Sequence, residues 1–410
     1  MISVEQALSL VHARVPRRSP TTVPLGDALG HTLAEDIVSD VDSPPHDKAL
    51  VDGYAVRASD IVAPHVELCI LEQVVAGECP TQTVTVGTAT RIMTGAPLPL
   101  GADAVVMIEK TETVTGGSHG DTAARVRIID ERAAAGQNIL RRAASLRRGE
   151  TVLTAGRPIR PIEIGVLAEV GRSHVAVIPP PRVAVLATGN ELVPVDRSPA
   201  AGQIRNSNGP MLAALVTRAG GQAIELGIAR DDDDDLRRLI LRGLEADVLI
   251  LSGGVSAGVL DLVPHVLQQL GVQPVFHKVN LKPGKPLWFG TLPAADGGEK
   301  LVFGLPGNPV SSLVCFELFV RPALAKLAGC DEPRTLRRAA LAHDFQHRGD
   351  RPTYFPAAVT EDASSPPHVK LLNWKGSADL RTLADANCLA HFPAGDRNYA
   401  AGESLTIWEL

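Results

Sequence analysis

Apolar residues change their spacing several times along this chain, and each change marks a different kind of element. Val4, Ala7, Leu8 and Val11 fall on one helical face, so the N-terminus reads as an ordinary amphipathic helix rather than a signal peptide. After a Pro-containing connector, residues 25–34 predict a second short helix leading into 35–38. From 41 to 147 the apolar residues alternate between Gly-rich turns, as at 83–90 and 125–129, which predicts strands; the stretch 115–120 reads as a surface hairpin tip. Three successive prolines at 179–181 mark a boundary. Beyond them, apolar runs at 183–187, 223–228 and 248–251 alternate with helical patterns at 210–219 and 235–244. A further strand at 301–303 runs into a helix beginning near 310–312. Short apolar strands alternating with helices imply a parallel sheet covered on both faces. Past 329 the alternation returns, which predicts a small barrel or sandwich.

Composition narrows the class. A chain of 410 residues is long enough for two to four domains, and 45% hydrophobic with 21% charged residues is usual for a globular protein. A net charge of −6 argues against general nucleic-acid or membrane binding, and 3% aromatics leave few stacking platforms for single strands. The longest apolar stretch, 301–328, is interrupted by Pro306, Glu317, Arg321 and Pro322, so it makes no membrane span. Five scattered cysteines (69, 79, 315, 330 and 388) lack metal spacing and read as reduced thiols of a cytoplasmic protein.

Candidate chemistry sits in the loops that follow the predicted strands, where open α/β sheets bind ligands. Pro306, Gly307, Asn308 and Pro309 form a turn ahead of a helix whose N-terminal N–H groups suit an oxyanion. Ser252, Gly253, Gly254 and Ser256 make a second loop, a weak signal alone because glycine turns after strands are common. Lys278, Lys282 and Lys285 lie within eight residues, around the segment KPGKP, and lysine is a compact charge suited to oxyanions. Glu191, Asp231, Asp232 and Asp261 follow strands and invite Mg²⁺, which takes one or two carboxylates plus substrate phosphates. The aspartates 233–235 read instead as the charged first turn of a helix. Asp47, Asp52 and the segment 91–97 with Thr94 are further candidates in the β-rich part.

Taken together these segments resemble the molybdopterin molybdenumtransferase family, the MoeA and gephyrin E-domain type. The residues that carry the resemblance are PPHDKALVDGYAV (44–56), RIMTGAPLPLGADAVVMIE (91–109), TGNELV (188–193) and GQIRNSN (202–208). SGGVSAGVLD (252–261), KPGKP (282–286), GLPGNPVS (304–311) and GSADL (376–380) complete it, in family order and across nearly the whole chain. The resemblance implies a Mg²⁺-dependent joining of molybdate to adenylylated molybdopterin with release of AMP. It also implies an elongated homodimer whose site lies between the parallel-sheet domain of one subunit and the first two domains of the other.

The fold implied is multidomain, α/β plus β. Residues 1–43 with 147–179 form a small discontinuous α+β domain, 44–146 a β-rich insert, 180–328 a parallel-sheet molybdopterin-binding α/β domain, and 329–410 a C-terminal β-barrel-like domain. By position, Asp52, Thr94, Glu191, Asp231, Asp261, Lys282 and Lys285 are catalytic candidates, with Glu191, Asp231 and Asp261 as metal ligands. Ser311, Arg351 and Ser377 would face molybdate or phosphate oxygens, and the 306–309 turn with the 252–256 loop would shape the pterin and nucleotide pocket. The molybdopterin adenylyltransferase and molybdoenzymes are the implied protein partners.

The chain also departs from the family pattern. Where NIRxxGEDI is usual it reads NILRRAASL (138–146), so Ala144 and Ser145 replace an acidic pair, and Asn190 and Val259 also replace acidic residues. The expectation is a divergent member with weakened Mg²⁺ affinity, altered metal use or impaired turnover. Two other readings remain open: a binding or scaffold protein on the same fold, and an adenylyltransferase or nucleotide pyrophosphatase sharing the molybdopterin-binding fold.

Overall fold

The computed structural model describes residues 1–114, 124–129, 132–255, 262–295, 297–330, 336–362 and 365–410, with the backbone alone at 361, 362 and 365. Ser256, Asp261 and the expected hairpin tip at 115–120 lie outside the described residues. The chain divides into two compact units. The first comprises Met1–Glu35, Ala155–Pro161 and His174–Leu410, and the second Asp36–Thr154 with Ile162–Ser173.

The first unit is organised around a six-stranded sheet. Its order is Gln222–Ala229, Arg182–Thr188, Val248–Ser252, Glu299–Leu305, Trp288–Pro293 and Gln273–His277. Val248–Ser252 is buried at every position because helices cover both faces, which is why it reads as an unbroken apolar run. The first four strands are parallel, as expected. Trp288–Pro293 runs antiparallel to both its neighbours, Glu299–Leu305 and Gln273–His277, so Gln273–His277 again runs with the first four. The connections between these three strands are too short for a crossover helix, and only antiparallel neighbours can be joined that way. The chain leaves Arg182–Thr188 towards one edge and returns to Val248–Ser252 on its other side. The ends of these two strands, at Thr188 and Ser252, therefore flank a topological switch point.

The N-terminal helix, Val4–Arg14, begins with a capping box: Ser3 Oγ accepts from Gln6 N and the Gln6 side chain accepts from Ser3 N. Its Val4, Ala7 and Val11 are buried in the core that also contains Val183, Ile250 and Phe303. The expected helix at 25–34 is absent. A single 3₁₀ turn, Leu25–Asp27, gives way to the strand Thr32–Leu33. Gly26 and Gly30, the latter at φ +79°, are poor helix formers, and pairing with His174–Ile178 uses the backbone instead. The prolines at 179–181 join His174–Ile178 to Arg182–Thr188, both within the first unit. The C-terminal part of this unit contains a closed barrel of Arg337–Leu341, Ser365–Leu371, Thr353–Asp362, Cys388–Phe392 and Ser404–Glu409.

The second unit carries a six-stranded sheet in the order Ala104–Met107, Gly53–Val56, Thr88–Ile92, Val66–Val74, Arg125–Ile128 and Thr111–Val114. The alternation at 83–90 yields a strand only from Thr88, because Gly87 (φ +76°) turns the chain just before it. Gly53 has no alternative: a Cβ there would stand 1.9 Å from the carbonyl oxygen of Val106 on the adjoining strand.

Candidate functional site

The switch point is built on an amide. Asn208 opens the helix Asn208–Arg218 and is 8% exposed. Its Nδ2 donates to Ser252 Oγ at 2.8 Å and to the carbonyl of Gly307 at 2.6 Å, tying the serine-glycine loop to the 306–309 turn. The carbonyl can only accept, so the amide orientation is fixed by chemistry. Ser252 is thereby a buried strand-end residue held by Asn208. Gly253 and Gly254 pass directly over Thr188: a Cβ on Gly253 would meet the Thr188 carbonyl at 2.5 Å. Gly307 packs in turn on Gly253. Among the described residues Asn208 Oδ1 and Thr188 Oγ1 are buried without a hydrogen-bond partner, which is costly unless something else satisfies them.

Beside this floor lies a cleft of about 610 Å³. Lys282, Pro283, Gly284, Lys285 and Pro286 form one side, and Pro306, Asn308 and Ser311 the next. Arg351, Phe355 and the segment Trp374, Lys375, Gly376 and Ser377 close it. Lys282 and Lys285 are exposed, Ser311 is buried, and Arg351 and Ser377 are partly buried. The structure thus brings together Lys282, Lys285, Pro306, Asn308, Ser311, Arg351 and Ser377 from four separated stretches. Backbone bonds fasten them: Lys282 N to Pro352 O and Tyr354 N to Lys282 O, both 2.8 Å. Arg351 Nη1 donates to Leu281 O at 3.1 Å, and Asn308 Nδ2 to Ser377 Oγ at 2.8 Å. One expectation changes. The helix does begin at Pro309, but proline has no N–H and the Val310 N–H already donates to Ser377 O at 3.1 Å. Positive side chains, more than the helix terminus, make this cleft attractive to an anion.

The acidic edge lies at the neighbouring strand ends. Asn190 N donates to Asp231 Oδ2, and Asp231 N donates to Asn190 Oδ1, each at 3.2 Å. The Glu191 carboxylate folds back over Gly189, where an added Cβ would stand 2.4 Å from Oε2. Asp232 is the N-cap of Asp233–Gly243, its side chain accepting from Asp235 N, and Asp235 accepts from Arg230 N. Glu191 and Asp231 are exposed hard-oxygen donors, and a carboxylate with one oxygen engaged keeps lone pairs for a cation. Among the described residues no group of three His, Cys, Asp or Glu could by itself hold a metal. Two carboxylates with remaining positions left to substrate oxygens fit Mg²⁺, which keeps much of its coordination for phosphate and water.

In the second unit, Asp52 Oδ1 accepts from both the backbone N–H and the hydroxyl of Thr94, each at 2.7 Å. The Thr94 N–H, then its hydroxyl, hold the Asp52 carboxyl below its ordinary range. Asp47 is spent on structure: Arg142 N donates to Oδ1 at 2.8 Å and Arg141 Nη1 to Oδ2 at 2.6 Å. Arg142 also pairs with Asp42. The loop that lacks the family's acidic pair is thus wired by its own arginines.

Sequence reasoning passed over Asn208, Phe355 and Trp374 as site residues. Asn208 was the last residue of the GQIRNSN segment, and its reach to a loop 99 positions away has no local signature. Trp374 stands two residues before GSADL, where an aromatic looks like core.

Comparison with known proteins accounts for this arrangement. The MoeA N-terminal region (domain I and II) matches residues 2–171, a probable molybdopterin binding domain 184–326, and the MoeA C-terminal region (domain IV) 338–410. A molybdopterin molybdenumtransferase of Staphylococcus aureus is 35% identical over 99% of this chain and 95% of its own length. Molybdopterin molybdenumtransferase 2 of Mycobacterium tuberculosis is 36% identical over the whole of both chains. The crystal structure of a molybdopterin biosynthesis MoeA protein from Pyrococcus horikoshii superposes with a TM-score of 0.78 at 30% identity, covering 100% of each chain. The chain belongs to the molybdopterin molybdenumtransferase family.

Proposed function

We propose that this chain inserts molybdenum into adenylylated molybdopterin and releases AMP, in the biosynthesis of the molybdenum cofactor. The observation that carries the reading is the cleft in which Lys282, Lys285, Arg351, Ser311 and Ser377 converge, three cations and two hydroxyls facing one space. The cations neutralise molybdate and phosphate oxygens, and the hydroxyls orient them by hydrogen bonds. Glu191 and Asp231, with Asp261 as a third ligand, would hold Mg²⁺. When bound, that ion supplies positive charge to the phosphate oxygens as the adenylate is hydrolysed. Asp52 keeps Oδ1 engaged by both the N–H and the hydroxyl of Thr94. Its role is to position ligands as a fixed carboxylate, in concert with Thr94.

Ser252, Gly253, Gly254 and Ser256, with Pro306–Pro309, are assigned to shaping the pterin and nucleotide pocket, Ser252 acting through its bond to Asn208. The four-domain division at 43/44, 146/147, 179/180 and 328/329 and a cytoplasmic homodimer are part of the same reading. So is exchange with the molybdopterin adenylyltransferase and molybdoenzymes. Among the described residues no helix is long and apolar enough to cross a membrane. Replacement of the acidic pair by Ala144 and Ser145 implies a weaker demand for, or hold on, Mg²⁺. The test is AMP release from adenylylated molybdopterin with molybdate and tungstate compared, across Mg²⁺ concentrations. Molybdate-dependent AMP release supports the function. Binding of the adenylate without any AMP release overturns it in favour of a scaffold.

A further inference from the structure

Two aromatic rings line the cationic cleft among its charged and hydroxyl groups. Phe355 and Trp374 stand edge to face, with ring centroids 5.1 Å apart and planes at 83°. Trp374 is fixed further by Nε1, which donates to the carbonyl of Gly376, and by packing against the main core of the first unit. Its single polar atom is therefore engaged by its own chain, and what it offers the cleft is an apolar ring. Packing alone does not require an indole on this lining. Phe355 already joins the barrel core with Phe345 and Phe392. The chain has three tryptophans, and the other two are committed elsewhere: Trp288 is buried in the sheet, and Trp408 packs on Tyr354 and His391.

Size points the same way. A cleft of about 610 Å³ holds roughly twenty water volumes, far more than a tetrahedral oxyanion fills. Lys282, Lys285 and Arg351 supply the charge for an anion, and the rest of the volume, lined in part by Phe355 and Trp374, can take an organic group.

We propose that Trp374, braced by Phe355, is the stacking surface for the planar nitrogen heterocycle of a ligand whose phosphate is held by Lys282, Lys285 and Arg351. This rests on the reading of the cleft as a phosphate and oxyanion site. Aromatic side chains stack on purines and pterins alike because each has a π-face, and such a contact is worth about tenfold or more in affinity. Purine and pterin are therefore two sources of one chemistry, and the experiment separates them.

The full-length protein and its Trp374→Leu variant would be titrated by calorimetry with AMP, neopterin monophosphate, ribose 5-phosphate and molybdate. The expected result is that AMP or the pterin phosphate binds wild type about tenfold more tightly than ribose 5-phosphate, and that Trp374→Leu removes this advantage. Ribose 5-phosphate and molybdate should stay within twofold in the variant, which also certifies its fold. Whichever ring shows the Trp374 dependence is the one stacked. The proposal is overturned if neither ring improves on ribose 5-phosphate, or if the advantage survives Trp374→Leu. Failure of ribose 5-phosphate and molybdate to bind wild type would instead remove the anion-site reading, and this proposal with it. Should Trp374→Leu not fold, Trp408→Phe leaves Trp374 and the buried Trp288 as emitters. Quenching of its fluorescence by the ring-bearing phosphate and not by ribose 5-phosphate supports stacking, and equal responses exclude it.

Discussion

The cationic cleft and the acidic edge both grow from the C-terminal ends of parallel strands in the first unit, yet they are held in opposite ways. At the acidic edge two neighbouring loops bind each other locally, through the reciprocal Asn190–Asp231 pair. The cleft draws on four stretches of chain, and bonds such as Asn308 to Ser377 and Lys282 to Pro352 pin them across large sequence separations. Its exposed lysines therefore sit on backbone they do not themselves support. Charge and scaffold are separable in the cleft, and substitutions can address one without the other.

The largest expected effect tests that separation directly. Replacing Lys282 and Lys285 together by Ala should weaken molybdate or inorganic phosphate binding about a hundredfold, since each removes a charge-assisted contact. Thermal stability should stay within about 0.5 kcal/mol, as for other exposed substitutions. A large fall in melting temperature would show that the lysines are part of the scaffold after all. Asn208→Ala should do the reverse, costing about 2 kcal/mol of unfolding free energy because a buried amide and two long-range bonds are lost. Denaturant melts unchanged from wild type would remove Asn208 from its bracing role.

A smaller effect is expected at the acidic edge. Glu191→Gln combined with Asp231→Asn should raise the Mg²⁺ concentration for half-maximal AMP release about tenfold, the loss of one or two carboxylate ligands. Molybdate binding without Mg²⁺ should be unaffected. An unchanged Mg²⁺ requirement would leave these carboxylates without a metal role. The smallest effect should come from His391, a barrel residue that lines neither region. Burial, opposed by Glu5 and aided by His347, lowers the His391 pKa, so the folded state binds this proton less readily than the unfolded one. Stability from this residue is complete above the ordinary histidine value of about 6.5, and falls as pH drops from there through the folded value. His391→Gln should flatten that part of the stability profile. An unaltered slope would assign it to other groups.

How much was legible beforehand depended on how local each signal was. The strands at 183–187 and 248–251 read clearly because burial on both faces leaves a continuous apolar run, while the edge strand at 223–228 is only partly buried. The helix expected at 25–34 failed because apolar spacing outweighed Gly26 and Gly30 in the reading, whereas in the folded chain the backbone follows the glycines. Lys282 and Lys285 stood out as a dense pair in a lysine-poor chain. Arg351 and Ser377 came only from resemblance, because nothing near either residue announces that it will face KPGKP.

Sequence alone determined the family and the alternation of strands and helices, since each rests on residues close together along the chain. Tertiary structure alone decided that Asn208 would brace Ser252 against Gly307, and that Asp47 would be consumed by Arg141 and Arg142. It alone set Trp374 on the wall of a cation-lined cleft. The reason is physical. Periodicity and turn chemistry act over a few residues, but the partner of a buried amide or an indole is chosen by which distant segments the whole core brings within hydrogen-bond and van der Waals range.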